Sequence, residues 1–476
     1  MPEVHKTQLA VVGGGPGGYA AAFMAADLGL DVTLIEYEPN PGGVCLYRGC
    51  IPSKALLHAA KLLSDAREAN HWGIRFGEPE IDLDKLRAST FQVIEQMTNG
   101  LGQLCKARKV KHIQGLASFV DSHTIEVFRE QQHEQVKAEK TIIAVGSRPQ
   151  RFGPLIDSPN IMNSTSALQL PDVPKSLLVI GGGYIGLELG SVYANLGSKV
   201  TLVELTPGLL PGADRELVKP LHKRMEKVFH EIYLETKVED MQEVKNGIKV
   251  RLEGEGVEKP DRTFDKVLVC VGRKPNASGL NLDSTKVQVN DKGFIKVDEQ
   301  MRTDDPDIWA IGDVVGGMML AHKASHEGRV AAEVIAGRNV AFEPRAIPAV
   351  VFTNPEIAYC GLQQEEAKQE GRDIKVLRFP WSASGRASTL NLSDGLTKII
   401  CDPETEQVLG MGIVGEGAGE MISEGALAIE MGAVASDLDL TIHPHPTLSE
   451  TIMESAASFH GYSTHIYRPA GKQKKA

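Results

Sequence analysis

Cysteine and aromatic residues are both scarce in this chain: six cysteines and 5% aromatics in 476 residues. That is too little cysteine for the disulfide framework of a small secreted domain. Long apolar runs are missing as well. No stretch supplies the roughly 18 apolar residues of a membrane-spanning helix. The best candidate, Leu9–Leu30, is interrupted by glycines, Pro16 and Asp27. The opening MPEVHKTQ is too short and too polar for a signal peptide. These absences predict a cytoplasmic protein, neither exported nor inserted in a membrane. Positive charge is also in deficit, with 51 Lys and Arg against 62 Asp and Glu and a formal net charge of -11. Nucleic acid is therefore not an expected partner, because phosphate binding needs clustered cations. The short tail Gly471–Ala476 reads as a solvated end.

What the chain has in excess is glycine, 48 residues, or about 10% against a usual ~7%. Such an excess suggests many tight turns or close backbone–ligand approaches. Hydrophobic residues at 42% and charged residues at 24% are ordinary globular values, and the length allows two to four domains with a sizeable core.

Much of that glycine lies in an internal repeat. The segment Leu9–Val12, Gly13-Gly-Gly15-Pro-Gly-Gly18, a helical stretch and Val32–Glu36 recurs as Leu178–Ile180, Gly181-Gly-Gly183-Tyr184-Ile-Gly186, a helical stretch and Val200–Glu204. Gly13 and Gly181, like Glu36 and Glu204, are 168 positions apart. Each copy has the parts of a βαβ dinucleotide site. The first glycine (Gly13, Gly181) permits the tight turn, and the second (Gly15, Gly183) lets the backbone approach a pyrophosphate. The third (Gly18, Gly186) allows close helix–strand packing. The helix N-terminus offers unpaired N–H groups, and the terminal carboxylate can accept from a ribose diol. Turn glycines without a ligand are the bland alternative, and they do not explain both glutamates. Glu204 would repel a 2′-phosphate, and no arginine follows before Arg215, so the second site is expected to take NAD rather than NADP.

Downstream of Glu36 comes Cys45-Leu-Tyr47-Arg48-Gly49-Cys50-Ile-Pro52-Ser-Lys54, opening a helical run through Ala69. Residues five apart in a regular helix have Cα atoms about 8–9 Å apart, beyond the ~7 Å limit of a disulfide. A bonded pair therefore requires an irregular helix here, which Gly49 and Pro52 allow. Two buried thiols or half of a zinc site are the alternatives. No second close cysteine pair exists to complete a zinc site, so no metal is expected. Two cysteines beside a dinucleotide site, in a cysteine-poor chain, read best as a redox pair. The other four (Cys105, Cys270, Cys360, Cys401) read as buried small hydrophobes.

The residues Gly42-Gly43-Val44-Cys45 and Gly49-Cys50-Ile51-Pro52-Ser53-Lys54 resemble the active-site signature of the flavin-dependent pyridine nucleotide–disulfide oxidoreductases. Further matches occur in family order over essentially the whole chain: Thr141–Pro149 with Gly146, Val271-Gly272-Arg273-Lys-Pro275-Asn276, Trp309-Ala-Ile-Gly312-Asp313, Met319-Leu-Ala321-His322, His326-Glu327-Gly328 and His443-Pro-His445-Pro446-Thr447-Leu-Ser-Glu450. The similarity is greatest to the branch that oxidises dihydrolipoamide carried on lipoyl domains.

The resemblance implies a fold and a set of roles. The fold class is α/β, with two Rossmann-like FAD/NAD(P)-binding domains and a C-terminal α+β dimerisation domain. The implied segments are FAD-binding 1–150, NAD-binding 151–276, a second FAD part 277–347 and an interface domain 348–476. Cys45 is the interchange sulfur and Cys50 faces the flavin. Lys54 lies near the flavin ring. His445, oriented by Glu450, is the base, and the His445–Pro446 bond is cis. Gly13, Gly15, Gly18, Glu36, Lys54, Gly146, Gly312, Asp313 and Ala321 bind FAD. Gly181, Gly183, Tyr184, Gly186, Glu188, Glu204 and Gly272 bind NAD, and Glu188 pairs with Lys54. The implied assembly is a homodimer whose histidine reaches the other subunit's disulfide, served by a lipoyl domain of an E2 component or an H-protein. A glutathione-type reductase using NADPH is the alternative.

Three residues also have simpler readings. Thr447 and Glu450 have capping-box spacing, with Thr447 as N-cap. Asp313 suits a helix N-cap. His443 matches no catalytic position and reads as a packed turn residue. Two departures from the family pattern stand out: Tyr47-Arg48 where Asn-Val is more usual, and Tyr184 where an aliphatic residue is common. Arg48 is expected to favour a nearby thiolate electrostatically.

Overall fold

The computed structural model describes residues 3–130, 132–153 and 156–467; Pro154 and the Gly471–Ala476 tail lie outside them. The chain divides into two compact units, Met1–Ala59 with Ile74–Val173 and Leu268–Glu343, and Ala60–Gly73 with Pro174–Val267 and Pro344–Ala476.

The first unit is built on β1 (Glu3–Val12), α1 (Pro16–Asp27), β2 (Val32–Glu36), α2 (Gly43–Arg48), the start of α3 (Cys50–Glu68), α4 (Leu83–Ala107), β3 (Lys111–Gln114), β4 (Leu116–Asp121), β5 (Thr124–Arg129) and β6 (Gln132–Ile143). The seven-stranded sheet runs β3-β2-β1-β6-β5-β4, with Ile308–Ala310 also paired to β6. Strands β3, β2, β1, β6 and Ile308–Ala310 are mutually parallel, and β4–β5 is an antiparallel hairpin returning to β6. This topology accounts for the near-continuous apolar reading of β1 and β2. Leu9, Ala10, Val11 and Leu34 are fully buried, as a strand covered on both faces requires.

Helix α1 starts where Pro16, pre-set in φ, comes after Gly15 at the N-cap. Its alanines 21, 22 and 25 are fully buried. They let α1 lie very close to the helix Ala321–Ile335. A Cβ added at Gly328 would sit 2.5 Å from the Gly17 carbonyl oxygen, and one at Gly17 3.0 Å from that of Ala324. Two helices this close tolerate only small residues at the crossing.

In the second unit the repeat is reproduced in three dimensions. Leu9 faces Val32 across β1–β2, and Leu177 faces Val200 across the parallel strands Ser176–Ile180 and Lys199–Val203. Glu231–Tyr233 extends this sheet. The strands Thr236–Val244, Gly247–Gly254 and Asp261–Phe264 form an antiparallel meander. The C-terminal part is a five-stranded antiparallel sheet, in the order Ala349–Val351, Glu356–Gly361, Val408–Gly415, Leu396–Cys401, Lys375–Pro380. The helices Ala418–Met431, Ala435–Leu440 and Glu450–Ala457 accompany it. No helix among the described residues is long and apolar enough to cross a membrane.

The unit borders differ from the segment boundaries at 150, 276 and 347. The chain stays with the first unit to Val173 and returns to it at Leu268. Arg87 on α4 explains the first difference: its Nη1 donates to the carbonyls of Leu170 and Pro171 at 3.0 Å. Sequence pattern cannot show such a tether.

The α1 crossing yields a test. Gly328→Ala forces a methyl group against Gly17 and is expected to cost about 1–3 kcal/mol, the usual range for overpacking. Gly77→Ala adds its methyl where nothing lies within 4 Å. Thermal unfolding should show a lower midpoint for the first variant and an unchanged one for the second.

Candidate active site

The two fingerprint loops are built alike. Gly13 has φ +103° and Gly181 φ +106°, a region that favours glycine. A Cβ at Gly18 would lie 1.8 Å from the Gly13 oxygen, and one at Gly186 2.1 Å from the Gly181 oxygen. The second glycines differ in kind. A Cβ at Gly183 would meet nothing within 4 Å, and at Gly15 only the Gly43 Cα at 3.9 Å. The protein leaves those positions open, as a pyrophosphate cradle requires.

Both glutamates have a structural duty that sequence reasoning missed. Glu36 accepts the Gly14 N–H at 2.5 Å on one oxygen and the Glu38 N–H at 3.0 Å on the other. Glu204 accepts from Gly182 at 2.6 Å and Thr206 at 2.8 Å, the same bonds one repeat later. Each carboxylate therefore shapes its loop and keeps further lone pairs for a ribose. Burial pushes the Glu36 carboxyl up, while the Gly14 and Tyr37 N–H groups and the charge of Arg48 oppose that. Arg215 does not supply a phosphate site near Glu204. Its guanidinium donates to the carbonyls of Leu209, Leu210 and Ala213.

The redox loop is fastened to the first fingerprint. The Gly42 N–H donates to the Gly14 oxygen at 2.8 Å. Gly43, at φ +57°, packs so closely that a Cβ would lie 2.5 Å from the Gly15 Cα. The helix is irregular between the cysteines, as a bonding pair requires: α2 ends at Arg48, Gly49 caps it and α3 begins at Cys50. A side chain at Gly49 would meet the Val44 oxygen at 2.8 Å.

Cys45 is half-buried and Cys50 exposed. The Cys45 thiol is pushed well above its ordinary value, first by its hydrogen bond to Cys50, then by burial, with the charge of Lys54 opposing. Lys54, not Arg48, is the cation acting on Cys45, and Arg48 forms an ion pair with Glu38. The four other cysteines are buried or half-buried; burial raises the Cys105 thiol to about 11 and the Cys270, Cys360 and Cys401 thiols to about 12.

Asp313 is not a helix cap. It lies inside the 3-10 turn Gly312–Val315, and its carboxylate accepts the Ser147 hydroxyl at 2.5 Å. Arg273 donates to that hydroxyl oxygen at 2.7 Å. Gly312, at φ +77°, donates its N–H to Glu327 at 2.7 Å, and Glu327 forms a buried ion pair with Lys323 at 2.5 Å. Ala321 opens the next helix. Gly146, at φ +67°, accepts the Asn276 N–H at 3.0 Å. Gly272, expected with the NAD residues, falls in the first unit, where its carbonyl accepts the Gln150 N–H at 3.0 Å.

Tyr19 on α1 went unnoticed in the sequence. Burial, then the charges of Cys45 and Cys50, raise its phenol, so it lies within electrostatic reach of both sulfurs. Nothing in its spacing gave a signal.

In the second unit Tyr184 is 41% exposed. Glu188 is buried and accepts the Phe352 N–H at 3.0 Å. The His445–Pro446 bond is cis. His445 is exposed, and its Nδ1 lies 2.9 Å from Glu450 Oε1. The other Glu450 oxygen accepts the Thr447 N–H at 2.7 Å. Capping and orienting are therefore both performed by one carboxylate, although the N-cap is Ser449 rather than Thr447. The Thr447 hydroxyl donates instead to the Pro444 carbonyl at 2.7 Å. Burial acts to raise the Glu450 carboxyl, and the Thr447 N–H and the His445 ring outweigh it and hold it below its ordinary range. His443 is a packed turn residue, its side chain 5% exposed and bonded to Glu424 at 2.8 Å.

Comparison with known proteins accords with this geometry. Residues 7–328 match the model of the pyridine nucleotide-disulphide oxidoreductases, and residues 347–456 that family's dimerisation domain. The chain belongs to the pyridine nucleotide-disulphide oxidoreductase family. It is an oxidoreductase that binds FAD and NAD. The dihydrolipoyl dehydrogenase of Haemophilus influenzae is 49% identical over 477 residues, covering 100% of this chain and 99% of the relative. That of Vibrio cholerae is 47% identical, covering 100% of each. Among solved structures, LpdA of Mycobacterium tuberculosis superposes with a TM-score of 0.87 at 26% identity, covering 94% of this chain and 99% of that one. The HOCl-induced flavoprotein disulfide reductase RclA of Escherichia coli superposes at 0.83 with 28% identity, covering 94% and 99%.

The Glu450 geometry predicts a pH dependence. A carboxyl held below its ordinary value of 4.5 on folding adds stability at neutral pH and loses it as the pH falls through the lower folded value. Glu450→Gln keeps an oxygen for Thr447 but no charge. The difference in unfolding midpoint between wild type and this variant should shrink from about pH 7 to about pH 3. A constant difference would mean that the charge contributes nothing.

Proposed function

We propose that the chain is a dihydrolipoyl dehydrogenase. It oxidises dihydrolipoamide on the lipoyl domain of a 2-oxo acid dehydrogenase component or an H-protein, and NAD⁺ is the final acceptor. The observation that carries this reading is the full-length identity to enzymes of that name, in a chain whose helix breaks between two cysteines at Gly49.

The work is divided among several groups of residues. The fingerprint of Gly13, Gly15 and Gly18, with Glu36, Gly146, Gly312, Asp313 and Ala321, holds FAD. That of Gly181, Gly183 and Gly186, with Glu204, holds NAD. In a homodimer, His445 of a second copy takes a proton from one substrate thiol. Glu450 fixes the Nδ1 side of the ring, leaving Nε2 as the base. The substrate thiolate attacks Cys45 of the Cys45–Cys50 disulfide, a mixed disulfide forms, and Cys50 leaves as a thiolate. The second substrate sulfur attacks the mixed disulfide and lipoamide departs. The two substrate protons end on His445 and Cys45. Lys54 offsets the negative charge beside the sulfurs. FAD, when bound, supplies the two-electron step that links the dithiol to NAD⁺.

The exposed Tyr184 is the one observation favouring a glutathione-type reductase. Glu204, which disfavours a 2′-phosphate, opposes it. Steady-state assays separate the two. Dihydrolipoamide with NAD⁺ is expected to turn over at least about 10²-fold faster than glutathione disulfide with NADPH, and Cys45→Ser should abolish the first activity. Faster turnover with the second pair would overturn the assignment.

A further inference from the structure

Lys398, on the strand Leu396–Cys401 of the C-terminal sheet, is only 2% exposed. Its Nζ donates to Asp214 at 2.5 Å, to Glu216 at 2.5 Å and to Gln364 Oε1 at 2.6 Å. Opposite it on the neighbouring strand stands Arg378, and like charges in that relation repel. Glu216 holds both cations: Arg378 Nε and Nη2 each donate to it at 2.9 Å. On its other side Lys398 faces Gly412, where an added Cβ would lie 2.6 Å from Leu217 Cδ1. Arg378, Lys398 and Gly412 form a row across three strands, and the start of the helix Arg215–Val228 is seated on that row.

A buried ammonium is costly unless it is paired, and an apolar residue of similar volume is often as good for stability. What the pairing adds here is direction. Asp214 is the N-cap of the helix; one oxygen accepts the Glu216 N–H at 2.9 Å, and the other takes Lys398. The next residue, Arg215, donates to the Leu209 carbonyl at 2.9 Å and the Leu210 carbonyl at 2.5 Å. Leu210 in turn gives its N–H to the Gly182 oxygen at 2.9 Å, and a Cβ at Gly182 would lie 2.9 Å from Leu209 Cδ2. Gln363, beside Gln364, adds a bond from its Nε2 to the Gly212 carbonyl at 3.2 Å. A series of hydrogen bonds, interrupted only by the Asp214–Arg215 peptide bond, therefore joins the sheet to the middle of the second fingerprint. In the first repeat the matching oxygen, that of Gly14, takes the Gly42 N–H of the redox loop.

We propose that Lys398 and Arg378 are positioning residues for the NAD site. From the C-terminal sheet they fix the start of the helix Arg215–Val228, and with it the loop 209–214 that closes on Gly182. The inference rests on the reading that the second fingerprint holds NAD.

The test is NAD⁺ binding to the full-length protein carrying FAD, measured by titration calorimetry. Lys398→Met should raise the Kd for NAD⁺ about tenfold, within the usual range for coupled sites, with FAD content unchanged. Arg378→Met should raise it by about threefold, as suits a pair nearer the surface; its side chain is 34% exposed, so this variant carries the test should Lys398→Met fold poorly. Lys398→Arg should recover most of the loss. In steady state the KM for NAD⁺ should rise while kcat stays within about twofold of wild type. Met411→Ala leaves a cavity in the same sheet and should lower the unfolding midpoint without moving the Kd. An unchanged Kd in both Lys398→Met and Arg378→Met would overturn the proposal, and so would Met411→Ala weakening NAD⁺ binding as much as they do. A wild-type chain that carries FAD but binds no NAD⁺ would instead overturn the underlying reading.

Discussion

Each nucleotide loop in this protein depends on one carboxylate that grips two backbone N–H groups. Glu36 and Glu204 sit almost fully buried at the ends of their strands, and hydrogen bonds to charged groups are each worth roughly 1.5–3 kcal/mol. Those bonds hold the glycine turn in place. They explain why the glutamates recur in register, since loss of either would leave the glycine N–H without its acceptor before any question of a ribose arises. The sequence pattern points to ligand binding alone. The structure adds that the same groups must first make the loop.

The repeats part company just beyond this grip. The Gly42 N–H meets the Gly14 oxygen at 2.8 Å, and in the second copy the Leu210 N–H meets the Gly182 oxygen at 2.9 Å. Past that shared bond, the first copy continues through Gly43 into a short helix carrying Cys45, a break at Gly49 and a second helix starting at Cys50. The second continues into Ala213 and the helix Arg215–Val228, with no cysteine. A cysteine pair has thus been placed on one of two equivalent loops, on the segment whose Gly43 packs against Gly15.

Much of this was legible in the sequence because it depends on short spacings. The fingerprints, the helix break implied by C-x4-C and the His445–Glu450 pair all involve residues within a few positions or one βαβ unit. What escaped depends on distant partners. Asp313 finds Ser147 across 166 positions, and Arg87 tethers Leu170 across 83. Tyr19 approaches the cysteines although nothing in its own segment signals it. The Arg48–Glu38 ion pair likewise joins α2 to the turn after β2 across ten positions. Thr447 has N-cap spacing, yet its hydroxyl turns to Pro444, and the helix begins two residues later.

In the proposed reaction one dithiol and one flavin act in series between a dithiol substrate and NAD⁺. Anaerobic reductive titration tests it most directly, because it counts electrons in both groups. The wild-type chain should accept two electron pairs, one for the Cys45–Cys50 disulfide and one for FAD, and Cys45→Ser should accept one. A wild-type protein that accepts only one pair, with the same end point as Cys45→Ser, would contradict the account.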